Sequence, residues 1–276
     1  ERAGQEESEA LKADMRRRGH RIGAKGVGSL RQVINRTQSF APHLADRRIL
    51  ETAEAVLGPW ARISCTDCVV NFPGNERGYW HADWPYNQTN ASHIPAPYPD
   101  TLLHLSTIWM LTPFSAHTGG TFVVPGSHRW EDERKPLPEE VGAAVMPSGS
   151  VLLYTGNVIH GAGENRANSS RGGLAMHYSL AWLRQEENQY LSMPIEEARK
   201  LPRQLQEFMG YELGTVNLGF VDHKHPNDYL NGVADEGPGA LGPQELMDAD
   251  NAIQRMRISG TAAVGRQRFH VAPESS

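Results

Sequence analysis

A histidine and an aspartate separated by one residue, His81 and Asp83, sit in the aromatic stretch Tyr79-Trp80-His81-Ala82-Asp83-Trp84. In an extended backbone, residues two apart point the same way, so the imidazole and the carboxylate would converge on one point. That is part of a metal site. A His beside an Asp is commonly no more than a hydrogen-bonded pair, so the argument needs a third donor. One stands at His160, in Thr155-Gly156-Asn157-Val158-Ile159-His160-Gly161, at the end of an apolar run and beside a glycine. Taken alone, His160 reads as a satisfied structural histidine.

Eleven residues after His160 comes Arg171, at the start of the next apolar stretch. From Arg171 the alternate positions are Gly173, Ala175, His177 and Ser179, and the opposite set is Leu174, Met176, Tyr178, Leu180 and Trp182. One face is small and polar, the other large and apolar. If Arg171 points inward, small neighbours leave a slot beside its guanidinium, whose planar donors suit bidentate binding of a carboxylate. Taken alone, Arg171 reads as a surface cation.

The elements that must position these residues are short. Strands are expected at Arg62 to Asn71, Leu102 to Leu111, Thr121 to Val124, Gly149 to Tyr154 and Gly172 to Leu183, with turn signals at Pro73-Gly74, His117 to Gly120, Pro125-Gly126-Ser127 and Pro147-Ser148-Gly149. The 27 Gly and 18 Pro also favour many turns over long helices. This punctuation points to a sandwich or jelly roll rather than alternating β and α units. In such a fold distant strands lie side by side, so the 79-residue separation of His81 and His160 does not prevent a shared metal.

The chain of 276 residues reads as a single domain: a helical N-terminal layer over 1–60, the β core over 61–184 and a helical and loop cap over 185–276. Helices are expected around Glu6 to Arg18, over Asp46 to Leu57 with a stop at Gly58-Pro59, and from Pro194 through Met209 with Gly210 ending it. The glycine-rich segment Gly19 to Ser29 matches neither phosphate-loop nor dinucleotide fingerprint and reads as a mobile loop. The insert Trp84 to Asp100 is long enough for a lid or binding loop. Cys65 and Cys68 are too few for a disulfide framework and read as small strand residues.

A formal net charge of -5 supplies no basic field for a polyanion, so nucleic acid is not an expected partner. No run approaches the ~18 apolar residues that span a bilayer. The expectation is a cytoplasmic enzyme with a small-molecule substrate and no membrane partner, whose C-terminal stretch caps the sheet or makes a homo-oligomer contact.

These motifs in this order resemble the phytanoyl-CoA dioxygenase family of non-haem iron(II) and 2-oxoglutarate dependent oxygenases. The matching elements are His81-x-Asp83, the segment Gly119-Gly120-Thr121-Phe122-Val123-Val124-Pro125-Gly126-Ser127-His128, His160-Gly161, and Arg171 at the family's interval. The resemblance runs from about Arg62 to Leu183. It implies a double-stranded β-helix (jelly roll, cupin-like) core with flanking α-helices. It also implies that His81, Asp83 and His160 hold Fe(II), leaving three metal positions open for 2-oxoglutarate and O2. Arg171 would hold the distal carboxylate of 2-oxoglutarate. The hydroxyl that family members often carry two positions beyond the distal histidine is Ala162 here, with Thr155, Ser179 or water as substitutes and Thr107 as a further cosubstrate contact.

Trp80, Trp84, Tyr86, Asn87, Gln88 and His177 are the candidate substrate pocket, and His128 reads as structural. For His20, His43, His93, His104, His117, His223, His225 and His270 an ordinary packing or surface role is expected. The implied reaction is hydroxylation of a C–H bond in a small organic metabolite, an intermediate of secondary metabolism rather than a fatty acyl-CoA. Desaturation, epoxidation and cyclisation use the same centre, and a carboxylate at position 83 argues for oxygenation over halogenation. Two other classes share these residues: a cupin-like metal hydrolase or isomerase using zinc or another divalent ion as a Lewis acid, and a non-catalytic jelly-roll binding protein.

Overall fold

In a computed structural model of the chain, the described residues are 9, 12–17, 21–22, 27–84, 102–131, 134–233 and 248. Two sheets organise them. The larger has six strands in the order β1 (Arg21–Ile22), β2 (Val27–Arg31), β3 (Ala61–Asn71), β9 (Arg171–Leu180), β4 (His104–Met110) and β7 (Val151–Thr155). The smaller runs β6 (Gly142–Ala143), β5 (Phe122–Val123) and β8 (His160–Gly161). An isolated antiparallel bridge between His81 and His160 extends it by one more segment. The architecture is a double-stranded β-helix.

The expected strands form, with ends shifted by no more than three residues. Gly19 to Ser29 departs from expectation: among its described residues it carries β1 and the start of β2, and β2 pairs with β3 from Val27↔Asn71 to Arg31↔Asp67. Alternate hydrogen bonding to an existing sheet edge orders this glycine-rich sequence, which local propensity alone would leave as a loop. The N-terminal layer is therefore not purely helical.

The large sheet buries one face against helices. The helix Arg47–Leu57 is started by Asp46, whose side chain accepts from the Arg48 amide at 3.0 Å, and Gly58 follows it at φ 91°. Its Ile49, Leu50, Ala53 and Leu57 join Leu174, Met176, Tyr178, Leu105, Ala61 and Ile63 of the sheet in one buried cluster. The expected helix from Pro194 to Met209 is instead two, Ile195–Ala198 and Arg203–Met209. Pro202 lacks an amide hydrogen and disfavours helical backbone in Leu201 before it, which breaks the run. Gly210 ends the second piece at φ 110°. Among the described residues, no helix is long and apolar enough to cross a membrane.

A register shift in β3 between Ile63 and Cys65 matters for everything that follows. Ile63 lies opposite Tyr178 and faces the helices, whereas Cys65 lies opposite His177. Without the extra residue Ser64, positions 63 and 65 would share a face.

Candidate metal and cosubstrate site

The free face of the large sheet carries the site. In β9, Leu174, Met176 and Tyr178 enter the helix-side core, so Arg171, Gly173, Ala175, His177 and Ser179 occupy the opposite face. In β4, Leu105 and Trp109 belong to the core side, which puts His104, Ser106 and Ile108 on the site face.

His81, Asp83 and His160 come together, each offering one donor atom, and these atoms lie within 4.8 Å of one another. His81 Nε2 is 3.7 Å and His160 Nε2 3.5 Å from Asp83 Oδ1. The imidazole rings lie 4.3 Å apart, centroid to centroid. Nδ1 of each ring is turned to a main-chain carbonyl, of Tyr79 at 3.3 Å for His81 and of Val158 at 3.0 Å for His160. An Nδ1–H donated to a carbonyl leaves Nε2 with its lone pair, the tautomer that ligates a metal.

Electrostatics support the same arrangement. Burial would push the Asp83 carboxyl up, but the His177 and His160 imidazoles and the Ser106 hydroxyl outweigh it and hold the group well below the usual carboxylate range. Burial, with the neighbouring His160, pushes the His81 imidazole down and favours its neutral form. A carboxylate and two imidazoles, mutually within reach, fit a divalent transition metal.

Arg171 is the second feature. Its side chain is buried, with the residue only 3% exposed. One guanidinium nitrogen donates to the Gly119 carbonyl at 3.1 Å, and the cation lies over the Phe114 ring, 4.3 Å from its centroid. Its Nε finds no hydrogen-bond partner, and no carboxylate pairs with it among the described residues. Burial lowers it to about 10. A desolvated cation without a counter-ion is costly, and an incoming carboxylate would relieve it. The space opened by Gly173 is filled by Phe114, since a Cβ at 173 would lie 3.0 Å from that ring. The glycine therefore seats the ring beneath the guanidinium rather than opening a slot.

Comparison with known proteins bears on this arrangement. The profile of the phytanoyl-CoA dioxygenase family matches residues 5–173. The chain belongs to the phytanoyl-CoA dioxygenase family. Among relatives, a protein called Dioxygenase swnH1 from Arthroderma benhamiae is 29% identical over 193 residues, spanning 67% of this chain and 59% of that protein. Dioxygenase cnsJ from Penicillium expansum is 38% identical over 120 residues, 42% of this chain and 36% of that one. The chain thus spans about three-fifths or less of these relatives. EctD from S. alaskensis with bound Fe is a similar solved structure, with TM-score 0.49, 22% identity and coverage of 66% of this chain and 69% of that chain. The carbocyclase SnoK from nogalamycin biosynthesis gives 0.48 and 20%, over 65% and 75%.

Several expected contacts of this phytanoyl-CoA dioxygenase family member are placed elsewhere. Thr107 faces the helix side, where its hydroxyl donates to the Met176 carbonyl at 3.0 Å. Thr155 lies opposite Leu105 and shares that face. Ser179 is on the site face but eight residues from Arg171 along β9, roughly 26 Å at 3.3 Å per residue, too far to share its anion. Trp80 alternates with His81, packs 6.2 Å from the Phe122 ring and lies beneath Arg77, on the side opposite His160. It does not wall the metal site. Trp84 stacks on His104, with 6.3 Å between rings, and remains at the site's edge. Tyr86, Asn87 and Gln88, with the insert through Asp100, lie outside the described residues. His128 lies outside both groups of residues that could hold a metal.

His177, a candidate for the substrate pocket, does more: its Nε2 is 3.7 Å from Asp83 Oδ2, and its Nδ1 is 3.3 Å from Cys65 Sγ and 3.5 Å from Glu186 Oε1. Glu186 also meets His104 Nε2 at 3.3 Å and accepts from Ser64 Oγ at 3.1 Å. Burial pushes the Cys65 thiol up to about 11, which favours its protonated form as a hydrogen-bonding partner of His177. Ser106, Tyr154, Phe114, Cys65, His104 and Glu186 are therefore site residues that sequence reasoning missed. One signal was available: the clear alternation in β9 could have been transferred to β4 had the register been known.

Proposed function

We propose that this protein is an Fe(II)- and 2-oxoglutarate-dependent dioxygenase that hydroxylates a C–H bond of a small organic metabolite. The observation that carries the reading is a His–Asp–His donor group, supplied by the smaller sheet and the segment bridged to it, together with a buried guanidinium of the large sheet that lacks a carboxylate partner among the described residues. Membership of a dioxygenase family supports the reaction class. Relatives that carry the name dioxygenase point the same way.

His81 Nε2, Asp83 Oδ1 and His160 Nε2 would hold the iron, and Arg171 the distal carboxylate of 2-oxoglutarate. The chemistry supplied by these groups when bound is reduction of O2, one oxygen atom entering the substrate C–H bond and the other entering succinate as CO2 is lost. The protein's own task is positional. Backbone carbonyls of Tyr79 and Val158 fix the imidazole tautomers, and the Phe114 ring and Gly119 carbonyl hold the guanidinium plane. Trp84 and His104 border the region where a substrate would be excluded from water, and the segment after Trp84 is the proposed determinant of substrate choice.

Anaerobic addition of Fe(II) and 2-oxoglutarate tests this directly. A weak visible charge-transfer band is expected with both present and with neither alone. Absence of the band, together with no succinate formed in air across a panel of natural-product scaffolds, would reject the assignment. Zinc-supported hydrolysis or isomerisation without 2-oxoglutarate would favour the Lewis-acid reading instead.

A further inference from the structure

Four adjacent strands contribute one row of side chains beneath Asp83. Tyr154 of β7 lies opposite Ser106 of β4, Ser106 opposite His177 of β9, and His177 opposite Cys65 of β3. Directly opposed residues of an antiparallel pair point to the same face, so phenol, hydroxyl, imidazole and thiol stand side by side. The first three converge on a single atom. Asp83 Oδ2 accepts from Ser106 Oγ at 2.6 Å and from Tyr154 Oη at 3.0 Å, with His177 Nε2 3.7 Å away.

The other carboxylate oxygen has different company. Oδ1 faces His81 Nε2 and His160 Nε2, at 3.7 and 3.5 Å. A carboxylate offers about four lone-pair sites, two on each oxygen. Two hydroxyl donors therefore occupy Oδ2, and Oδ1 is left toward the histidines. Asp83 itself lies outside any strand, so its own backbone imposes no such orientation, and the torsion that exchanges the two oxygens is intrinsically broad.

We propose that the Tyr154–Ser106–His177 row is a clamp that presents Asp83 to the metal through Oδ1 alone. The inference rests on the reading of His81, Asp83 and His160 as metal ligands and extends it to the residues that position them. Tyr154 adds a coupling. Its hydroxyl lies 3.2 Å from His160 Nε2 as well as 3.0 Å from Asp83 Oδ2, and it has one hydrogen for the two acceptors. A metal on His160 Nε2 removes one acceptor and commits the phenol hydrogen to Asp83. Ligation by the histidine and orientation of the carboxylate are thereby linked through one side chain.

Anaerobic Co(II) titration of the whole chain, followed by calorimetry and the cobalt visible spectrum, tests the clamp without turnover. Ser106→Ala and Tyr154→Phe are each expected to weaken Co(II) binding by about 10- to 100-fold, the usual cost of removing a partner of a ligand, and to change the cobalt spectrum. Ser106→Thr retains a hydroxyl and should bind within a few-fold of wild type, a rescue that a merely structural role would not give. Metal-free melting of each variant separates lost folding from lost ligation. If wild type binds Co(II) and both hydroxyl-deleted variants bind equally well with unchanged spectra, the clamp is overturned and the metal reading stands. A wild-type chain that binds no Co(II) overturns both. A visible tyrosinate band with Fe(III) that vanishes in Tyr154→Phe would put the phenolate on the metal and overturn its role as a clamp.

Discussion

His81 and His160 are joined main chain to main chain: the His81 amide donates to the His160 carbonyl at 3.0 Å, and the His160 amide returns the bond at 2.9 Å. The relative position of the two imidazoles is thus set by backbone pairing, independently of a ligand. Such a site binds metal with little reorganisation. Addition of Mn(II) should stabilise the wild type by about 2.7 kcal/mol at a hundredfold excess over the dissociation constant. His160→Ala should show no metal-dependent rise in melting temperature, and an equal rise in that variant would remove His160 from the ligand set.

Arg171 invites a test that separates binding from folding. Replacing a buried unpaired charge by an apolar residue of similar length is often neutral or stabilising, so Arg171→Met should melt no lower than wild type in the metal-free form. The same change should weaken 2-oxoglutarate binding by roughly 10- to 100-fold, the ratio for losing a charged hydrogen bond worth about 1.5–3 kcal/mol. Calorimetry with the Mn(II)-loaded protein reads this. Unchanged 2-oxoglutarate affinity would assign the anion elsewhere.

The smaller sheet is held by close backbone contacts at glycine. A Cβ at Gly163 would lie 2.4 Å from the Gly120 carbonyl oxygen, and one at Gly120 would lie 2.6 Å from the Ala144 carbonyl oxygen. At Gly142 the nearest atom would be 3.7 Å away, an ordinary contact. Gly163→Ala should therefore destabilise by about 1–3 kcal/mol, and Gly142→Ala should melt close to wild type. Equal melting of the two would contradict this packing.

Tyr178 is fully buried on the helix side, its ring 6.0 Å from that of Phe208, and its hydroxyl has no partner among the described residues. A buried hydroxyl without a partner contributes nothing to stability. Tyr178→Phe is expected to leave the melting temperature unchanged or raise it. Phe208→Ala in the same cluster should cost about 3–5 kcal/mol. A drop of several degrees in Tyr178→Phe would reveal a bond to that hydroxyl.

Legibility in the sequence followed how one-sided each strand is. In β9 the contrast between Leu174, Met176 and Tyr178 on one face and Gly173, Ala175 and His177 on the other makes the direction of Arg171 readable. In β4 all of His104, Leu105, Ser106 and Thr107 are buried. Both faces are covered, so alternation carries no signal, and Thr107 is a natural but mistaken choice over Ser106. Trp80 failed differently: its nearness to His81 in sequence says nothing of the neighbour waiting on the opposite side, which is Phe122.

By itself the sequence determined which chemistry was available. A His-x-Asp pair, a distant histidine beside glycine and an arginine after it, among short strands, offer a metal donor set and a cation for an anion. The tertiary structure decided how these groups are held. The extra residue Ser64 in β3 brings Cys65 to His177, the pairing of β7, β4 and β9 sets Tyr154 and Ser106 on Asp83, and the bridge His81↔His160 brings the two imidazoles together. Register and bulges arise from contacts between segments tens of residues apart. Their energy comes from the packed whole, so no local stretch of sequence specifies them.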